Sequence, residues 1–293
     1  MKICFIVNPI SGKKTAEVGA LTTTLRHTFP GADIHLTQRA GHATQLAQQA
    51  VSQQFDAVVA AGGDGTINET ARALVGTQTA LGILPRGSGN GFAREIGMHL
   101  SFQKAAQQLR QAQPIWCDVG RANGEVFLNV AGVGLEADIA WQFMQYGQTN
   151  GKRGKWPYFK LGAKTVFSYQ PAALHLEADG TTLQTAPLTL VFANGRQYGS
   201  NFKIAPKASL TDGLLDMVSV HHAPKWKLAL AVPGFFTDTW RPFGITQTTQ
   251  IKQATIQRAG AFAYHVDGEP RQANGPLHLE IVPHALRVLF PEK

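Results

Sequence analysis

The stretch VVAAGGDGTINE (residues 58–69) decides the fold class of this chain of 293 residues. The apolar run at 55–61 predicts a buried strand, and residues 67–75 predict a helix that begins with Thr66 as its N-cap. Residues 62–65 would then form a strand-to-helix turn, where glycine permits positive φ and lets a ligand approach the backbone closely. A helix N-terminus behind such a turn favours an anion such as phosphate.

The acidic residue of this turn, Asp64, adds a second requirement. A bound phosphate would repel the Asp64 carboxylate unless a metal ion lay between the two charges. The simpler interpretation is a tight turn in which Asp64 caps the helix. Three glycines exceed what a cap needs, because each one costs backbone entropy. We therefore expect an anion site with a metal ion beside Asp64.

Length and composition indicate two folded domains, on a prior of about 150 residues per domain. The chain is 44% hydrophobic and 16% charged, which supports sizeable cores. Cys4 and Cys117 lie in apolar, strand-like segments, so we expect neither a disulfide nor a thiolate metal site, and a reducing cytoplasm fits. No run reaches the roughly 18 apolar residues that span a bilayer. We expect a soluble protein, and a position on a membrane surface stays open.

The charge balance is basic, with 27 Lys and Arg against 19 Asp and Glu and a net charge of +8. This suits nucleic acid, anionic lipid or a polyphosphate ligand, and charge alone does not discriminate among the three.

The first third of the chain alternates strand and helix patterns. Predicted strands lie at 3–7, 33–36, 56–61 and 80–84; predicted helices lie at 15–27, 42–51, 66–75 and from residue 90. This alternation predicts an α/β domain whose parallel sheet is covered by helices on both faces.

The pattern changes after residue 113, where strand-like segments lie close together. They occur at 115–121, 125–131, 172–178, 186–193, 214–220, 246–258, 261–266, 277–282 and 286–290, with helices at 135–146 and 156–168. Closely spaced strands with turn signals predict an antiparallel β-sandwich. We place the domain boundary near residue 120, with a first domain at 1–120 and a second at 121–284, and the last strand, 285–293, able to return to the first domain.

Two further glycine-rich turns follow predicted strands of the first domain. NPISGK (residues 8–13) ends in a lysine but lacks the spacing of a Walker A loop. LPRGSGNGF (residues 84–92) combines glycines with a hydroxyl and opens a helix. Turns at the ends of strands one, three and four would gather at the carboxyl edge of a parallel sheet, where ligands of open α/β sheets bind.

A fourth turn, VDGE (residues 266–269), lies between two strand-like segments of the second domain. Asp-Gly favours a type I′ hairpin, which is a sufficient structural reason for these residues. Glu269 nevertheless places a second carboxylate beside Asp267. Such a pair can bind Mg²⁺ or take a proton from an attacking hydroxyl, and both roles stay open.

The four motifs NPxSG, GGDGT-x-N, LPxGSGN and DGE, in this order from residue 8 to residue 269, resemble those of the diacylglycerol kinase catalytic family. This family includes bacterial lipid kinases and sphingosine kinases. NAD kinases and phosphofructokinases share GGDG-type turns, whereas the other three motifs favour the lipid kinases. The resemblance implies a nucleotide-binding α/β domain of the NAD kinase or phosphofructokinase type at 1–120, a β-sandwich lipid-acceptor domain at 121–284 and an active site in the cleft between them.

The resemblance also implies an ATP- and Mg²⁺-dependent lipid kinase that phosphorylates a diacylglycerol-like or sphingoid-like hydroxyl. Asp267 and Glu269 match the acidic motif that carries the general base. A second Mg²⁺ site is implied at Asp212, with Ser209 and Leu214 contributing mainly backbone oxygens, and Asp64 is a further metal contact. The residues implied to line ATP are Asn8, Pro9, Ser11, Gly12, Lys13, Thr37, Gly62, Gly63, Asp64, Gly65, Thr66, Ile67, Asn68, Gly87, Ser88, Gly89 and Asn90.

One position departs from the family pattern. Many diacylglycerol kinase-like members carry Asp after the G-[ST]-G-N turn, where this chain has Gly91. Sphingosine kinase-like members also lack this Asp, so its absence is compatible with activity. It leaves the identity of the acceptor lipid open.

The sequence signals for binding of the acceptor are less specific than the four motifs. KRGKWPYFKLGAK (residues 152–164) surrounds three aromatic residues with five basic ones, and suits either an anionic-membrane contact or a helix with a solvated basic face. Segments 233–236 and 240–243 are expected to pack in the core or a lid. The histidines show no metal spacing, and we expect His265 to have a packing or solvated role. A lipid at a membrane surface is the expected partner, a homodimer is possible, and nucleic acid is not expected.

Two other functions remain open at this stage. One is a kinase of a soluble acceptor such as a nucleotide or a sugar. The other is a catalytically inactive regulatory protein that binds a nucleotide or nucleic acid. Gly91 and the net charge favour this alternative. The intact pair of Asp267 and Glu269 argues against the inactive protein.

Overall fold

The computed structural model describes residues 1–12, 18–150, 169–237 and 244–292. They fall into two compact units. Unit 1 comprises Met1–Val119, Gly199–Asn201 and Pro283–Lys293, and unit 2 comprises Gly120–Tyr198 and Phe202–Val282. Some sequence-based expectations fall outside the described residues: the role of Lys13, the basic aromatic segment 152–164, the helix at 156–168 and the segment 240–243.

Unit 1 has alternating strands and helices. In chain order they are β1 (Ile3–Val7), α1 (Val18–Thr28), β2 (Asp33–Leu36), α2 (His42–Ser52), β3 (Ala57–Gly62), α3 (Asp64–Leu74), β4 (Ala80–Pro85), α4 (Gly91–Glu95) and α5 (Phe102–Gln111). Two strands, β5 (Gln113–Ala122) and β16 (Leu277–Phe290), have residues in both units.

Unit 2 consists mainly of strands. They are β6 (Glu125–Phe127), β7 (Val130–Gly134), β8 (Leu174–Ala178), β9 (Thr181–Thr185), β10 (Thr189–Ala193), β11 (Leu215–Val220), β12 (Thr246–Ile251), β13 (Gln253–Gln257), β14 (Phe262–Val266) and β15 (Glu269–Ala273). The helices are α6 (Leu135–Asn150) and α7 (Lys225–Thr237).

The sheet of unit 1 is parallel, in the order β2-β1-β3-β4. The carboxyl-terminal part of β16 joins it, with Val288 pairing in parallel with Leu81. Strands β1, β3 and β4 are buried along their whole length. This is expected when helices cover both faces of a parallel sheet, and it confirms the predicted α/β architecture.

Unit 2 is a β-sandwich. One sheet is antiparallel, in the order β12-β11-β10-β7-β14-β15. The facing strands are β9, β8, β13 and residues 277–282 of β16. Neighbouring residues of β10 belong to two cores. Leu190 lies in the core between the sheets, while Val191 lies on the opposite face, in a second core that also contains Phe235 of α7. The predicted antiparallel sandwich is therefore confirmed.

Several predicted elements have different bounds in the structure. The strand predicted at 246–258 is two strands, β12 and β13, and the strands predicted at 277–282 and 286–290 are one continuous strand, β16. The helix predicted from residue 90 is interrupted at Gly97, whose φ is +79°, so that α4 and α5 are separate. Strands β9 and β15 and helix α7 were not predicted as separate elements. None of the described helices is long and apolar enough to cross a membrane.

Candidate active site

The first glycine turn is tied to the start of α3 through Asn8. The Asn8 amide nitrogen Nδ2 donates a hydrogen bond of 3.0 Å to Oγ1 of Thr66, and the Asn8 Oδ1 accepts one of 3.1 Å from the backbone N–H of Ile10. Gly12 has a φ of +100°, which favours glycine at this position. The turn is therefore anchored to the next glycine-rich segment rather than lying free after β1.

The second glycine turn is built differently from the prediction. Helix α3 begins at Asp64 with Gly63 as its N-cap, so Thr66 lies inside the first turn and is not the cap. None of Gly62, Gly63 and Gly65 has a positive φ. Glycine is needed here for close packing, because a Cβ atom on Gly62 would lie 2.6 Å from the Cβ of Thr66.

The second and third glycine turns contact each other. A Cβ atom on Gly87 would lie 2.7 Å from the Cα of Gly63, and one on Gly89 would lie 3.0 Å from Oδ2 of Asp64. Asn90 has a φ of 49° and closes the third turn, where its Oδ1 accepts from the Gly87 N–H and its Nδ2 donates to the Gly87 carbonyl, both at 2.8 Å. The two motifs thus form one surface at the carboxyl ends of β3 and β4.

The Asp64 carboxylate of the second glycine turn binds the end of the third turn. Its Oδ1 accepts a hydrogen bond of 2.7 Å from the backbone N–H of Gly91, the first residue of α4. Burial raises the pKa of Asp64, and hydrogen bonds from backbone N–H groups, that of Gly91 first, act in the opposite direction. A cation beside this carboxylate would offset the cost of burying its charge. The surroundings of Asp64 therefore fit a contact with Mg²⁺.

The other residues implied to line a nucleotide lie in different environments. Thr37 is buried, and its N–H donates to the Val7 carbonyl at 2.9 Å. Ser88 is exposed on the third turn. Ile67 is fully buried and Asn68 is 5% exposed, so a ligand would reach either only through the backbone.

Arg86 is a site residue that the sequence analysis did not single out. Its Nη1 donates to the Asn8 carbonyl at 3.4 Å, and a Cβ atom on Gly12 would lie 3.5 Å from its Nη2. The third turn thus brings a guanidinium to the first turn. The signal was present in the sequence, as the arginine inside LPRGSGN, but only the packing of the turns shows which neighbour it meets.

In unit 2, Asp267 and Gly268 form the hairpin between β14 and β15. Their φ angles are +48° and +82°, as the predicted type I′ turn requires. The Asp267 carboxylate accepts hydrogen bonds from three consecutive backbone N–H groups, those of Leu128 at 2.7 Å, Asn129 at 2.9 Å and Val130 at 2.9 Å. Its orientation is therefore determined by a segment far away in sequence.

Glu269, the second acid of the motif, is bound by a side chain rather than by backbone N–H groups. Its Oε2 accepts a hydrogen bond of 2.9 Å from Nη2 of Arg271. Arg271 in turn forms a bidentate pair with Glu125, with distances of 2.6 Å and 2.8 Å. The pKa of Arg271 is raised, chiefly by its hydrogen bonds to Glu125. Neither Glu125 nor Arg271 was singled out in the sequence.

His265 has a defined place under the hairpin. It is 2% exposed, and its Nδ1 accepts from the Gly268 N–H at 3.4 Å. Its Nε2 lies 3.4 Å from Oε1 of Glu136, which also accepts from the Tyr198 hydroxyl at 2.9 Å. A Cβ atom on Gly132 would lie 2.6 Å from the same Glu136 oxygen, so glycine leaves room for this group.

The implied second Mg²⁺ site contains a carboxylate that the sequence analysis missed. Asp216 is 3% exposed, and its Oδ2 has no hydrogen-bond partner in the described part of the chain. Burial raises the pKa of Asp216, and the charge of Asp212 raises it further. The Asp212 Oδ1 accepts from the Leu214 N–H at 3.1 Å. An unpaired buried oxygen beside a second carboxylate is an environment that a cation stabilises.

No group of three or more His, Cys, Asp and Glu side chains suited to a metal occurs among the described residues. Mg²⁺ in the loop 209–216 would therefore also need backbone or hydroxyl oxygens, which Ser209 and Leu214 can supply. Oxygen ligands of this kind suit Mg²⁺. The donor set fits the ion.

Comparison with known proteins gives the same family as the motifs. The family model described as the diacylglycerol kinase catalytic domain matches residues 2–122, and that of the YegS C-terminal NAD kinase beta sandwich-like domain matches residues 130–290. The chain belongs to the diacylglycerol kinase catalytic family. The comparison confirms the resemblance predicted from the four motifs. It also confirms that the protein is a kinase.

Individual relatives agree with this assignment. A diacylglycerol kinase from Mycobacterium tuberculosis is 31% identical over 306 residues, which cover 99% of this chain and 95% of the relative. One from Bacillus subtilis is 32% identical over 225 residues, or 74% of this chain and 73% of that protein. The crystal structure of a diacylglycerol kinase from Bacillus anthracis superimposes with a TM-score of 0.75 at 20% identity, over 99% of this chain and 96% of that one. At this identity the structural match shows the fold alone.

Proposed function

We propose that this protein is an ATP- and Mg²⁺-dependent lipid kinase that transfers the γ-phosphate to a lipid hydroxyl. The observation that carries the proposal is the junction of the glycine turns in unit 1, through Asn8 with Thr66 and Gly63 with Gly87. The junction lies at the carboxyl edge of the parallel sheet, where ligands of this fold class bind. Backbone N–H groups at the start of α3 favour the phosphates of a nucleotide.

Two places in the structure fit Mg²⁺. One is Asp64 in unit 1, and the other, in unit 2, is formed by Asp212 in the loop before β11 and Asp216 at the start of that strand. Bound Mg²⁺ would supply positive charge against the negative charge of the phosphates, which is what phosphoryl transfer chiefly requires. Arg86 adds a guanidinium charge beside the first turn.

The acid pair of unit 2 is proposed to act on the acceptor. The acceptor oxygen forms a bond to the γ-phosphorus, the bond from that phosphorus to the β–γ bridging oxygen breaks, and ADP leaves. The hydroxyl proton passes to a carboxylate of the pair formed by Asp267 and Glu269. Three N–H donors orient Asp267, and Arg271 orients Glu269, so both acids are held before a substrate arrives.

A cavity inside unit 2 supports a lipid as the acceptor. It has a volume of about 430 Å³ and opens between β8–β9 and β11–β12. Leu176, Leu190 and Met217 give it an apolar floor, and threonines such as Thr249 form its rim. An apolar cleft of this size with a polar mouth suits a hydrocarbon chain. The diacylglycerol kinases among the relatives favour a diacylglycerol-like acceptor, and Gly91 keeps a sphingoid-like acceptor open.

Helix α7 supports a peripheral membrane contact. Its Trp226 and Leu230 are 66% and 59% exposed on one face, while Phe235 is buried against Phe202, with ring centroids 4.9 Å apart. The helix has two lysines and no acidic residue. An apolar face with Trp and basic residues suits the surface of an anionic bilayer. We accordingly propose a cytoplasmic protein that docks on the inner membrane surface, and a homodimer through this face is the competing arrangement.

The deciding experiment is transfer of label from γ-labelled ATP in the presence of Mg²⁺. The acceptors are diacylglycerol, monoacylglycerol, phosphatidylglycerol, ceramide and sphingosine in micelles, with soluble nucleotides and sugars alongside. Label in one lipid supports the proposal and names the substrate. Label in a soluble acceptor contradicts it, as does nucleotide binding without any transfer.

A matched pair of variants tests the acid motif in the same assay. Asp267→Asn is expected to lower turnover by about 100-fold or more while nucleotide binding stays nearly unchanged. Asp118 is the control, because its Oδ1 also accepts a hydrogen bond from a backbone N–H, that of His284 at 2.8 Å, and it lies outside the four motifs. Asp118→Asn therefore alters a similar structural contact without touching the acid motif. Equal turnover in both variants would remove Asp267 from the mechanism.

A further inference from the structure

We propose that Arg271 is a positioning residue for Glu269, and that Glu125 is in turn a positioning residue for Arg271. This inference rests on the proposed kinase function and adds two residues to it that no motif identifies. Glu269, the second acid of the DGE motif, acts only while the Arg271 guanidinium holds its carboxylate in position.

The hydrogen bonds of Arg271 carry the proposal. Its Nε and Nη2 bind the two carboxylate oxygens of Glu125 at 2.8 Å and 2.6 Å. Its Nη2 also binds Oε2 of Glu269 at 2.9 Å, and its Nη1 binds the Pro270 carbonyl at 3.0 Å. A guanidinium is planar and rigid, so a bidentate pair on one edge fixes where its other donors point. Glu125 thus determines the position that Arg271 offers to Glu269.

The strand geometry explains why Glu269 and Arg271 meet. They are two residues apart on β15, so their side chains project from the same face of the strand. Glu125 begins β6 and lies 146 residues away from Arg271 in the chain. Tyr264 is paired opposite Arg271 on β14, and burial raises the pKa of this tyrosine. The network therefore lies on a packed part of the sandwich.

Glu269 depends on this network for both position and charge. Its side chain is 45% exposed, more than that of Arg271 at 31% or Glu125 at 21%. A partly exposed glutamate otherwise samples several rotamers, and a reaction that requires a proton acceptor at one place loses rate when that acceptor moves. The guanidinium also offsets the negative charge that Glu269 would present to an incoming phosphate.

The alternative is an ion-pair network that only stabilises the hairpin. Exposed ion pairs often contribute little, and a purely structural role would leave the chemistry of Glu269 unaltered. The two roles differ in whether the effect of removing Arg271 depends on the presence of Glu269.

The test is a double-mutant cycle with Arg271→Gln in the wild-type and Glu269→Gln backgrounds, with Arg110→Gln on exposed α5 as the control. In the wild-type background we expect kcat to fall about 10-fold or more with an unchanged KM for ATP. In the Glu269→Gln background we expect no further loss, because Arg271 acts through Glu269. Equal losses in both backgrounds, with a lowered melting temperature, would overturn the positioning role.

The pH profile provides a readout that a structural role does not move. Loss of the guanidinium charge should shift the acidic limb of kcat/KM for Arg271→Gln to higher pH. Glu125→Gln keeps the guanidinium charge and releases its position, so kcat should fall while the limb does not move to higher pH. An acidic limb that stays in place in Arg271→Gln would contradict the inference. Absence of transfer by the wild type would instead refute the proposed function, and the positioning role with it.

Discussion

The Asp64 carboxylate accepts a hydrogen bond of 2.7 Å from the backbone N–H of Gly91. Gly91 is the position at which we expect many diacylglycerol kinase-like proteins to carry Asp, whereas this chain contributes a backbone donor there and no second carboxylate. Asp64 thus satisfies the first backbone N–H of α4, whose N-cap is Asn90, although Asp64 is itself the first residue of α3. The carboxylate of the second glycine turn thereby binds the start of α4, the helix that follows the third glycine turn.

This relationship predicts the behaviour of Asp64→Asn. Its Oδ1 can still accept the bond from Gly91, while the buried charge is removed. The pKa of Asp64 is raised above 3.8 in the folded state, so the stability it contributes is present below that pH and is lost as pH rises through the folded pKa.

Asp64→Asn should therefore melt at a higher temperature than the wild type at pH 7, and the difference should shrink towards pH 3.5. Phosphoryl transfer should fall by about 100-fold or more, because Asn lacks the negative charge that is proposed to contact Mg²⁺. The same charge would then lower stability and support activity. Thermal unfolding at the two pH values checks the first statement and the label-transfer assay the second. A variant less stable than the wild type at pH 7 would show that the charge of Asp64 is well compensated without metal.

The buried Asp216 predicts a stabilising effect of Mg²⁺. A ligand that binds only the folded state adds about 2.7 kcal/mol when its concentration is 100 times Kd. Mg²⁺ without nucleotide should raise the melting temperature of the wild type, and Asp216→Asn should lose most of this increment. Asp118→Asn should keep this increment. An undiminished increment in Asp216→Asn would place the stabilising ion elsewhere.

Without Mg²⁺ the same variant should be at least as stable as the wild type at pH 7. The reason is that the folded-state pKa of Asp216 is raised, so its ionised form destabilises the fold as pH increases through that value. Thermal unfolding in the presence of a chelator measures this directly. A clear loss of stability would mean that the Asp216 carboxylate is satisfied by the protein alone.

The cavity of unit 2 predicts chain-length selectivity. Thr249 lines its mouth on β12, and Thr248 is the next residue along the same strand, on the opposite face. Thr249→Trp should raise KM about 10-fold for a long-chain acceptor and leave a short-chain acceptor nearly unchanged. Thr248→Trp should affect neither. Equal KM values for all chain lengths in Thr249→Trp would exclude this cavity as the acyl-chain site.

Helix α7 predicts binding to anionic vesicles. Burying one large apolar side chain contributes roughly 1.5–3 kcal/mol, so the double variant Trp226→Ser, Leu230→Ser should bind phosphatidylglycerol vesicles at least about 10-fold more weakly. Leu100→Ser, which removes an exposed leucine from unit 1, should bind normally. Vesicle sedimentation measures the affinities, and size-exclusion chromatography measures the mass. Dimer dissociation by the double variant with unaltered vesicle binding would identify the face as a dimer interface.

Much of the fold followed from local patterns. The strands that became β1, β3 and β4 are short apolar runs followed at once by glycine-rich turns, and both signals depend on neighbours in sequence. The polar strand β9 escaped prediction because all but one of its residues are exposed, which removes the alternation that marks a strand. Helix α7 escaped because the residues after its two lysines are almost all apolar, which removes the helical alternation of apolar and polar positions, and because Pro233 lies inside it.

By itself, the sequence determined the alternating first unit, the sandwich of the second and the four motifs, because hydrophobic periodicity and turn chemistry act over a few residues. Only the tertiary structure decided which partners these motifs meet. The Asp64 bond to Gly91 spans 27 residues, Asp267 reaches Leu128 across 139, and Arg271 reaches Glu125 across 146. Contacts at such separations depend on how strands are ordered in a sheet, which no local propensity encodes.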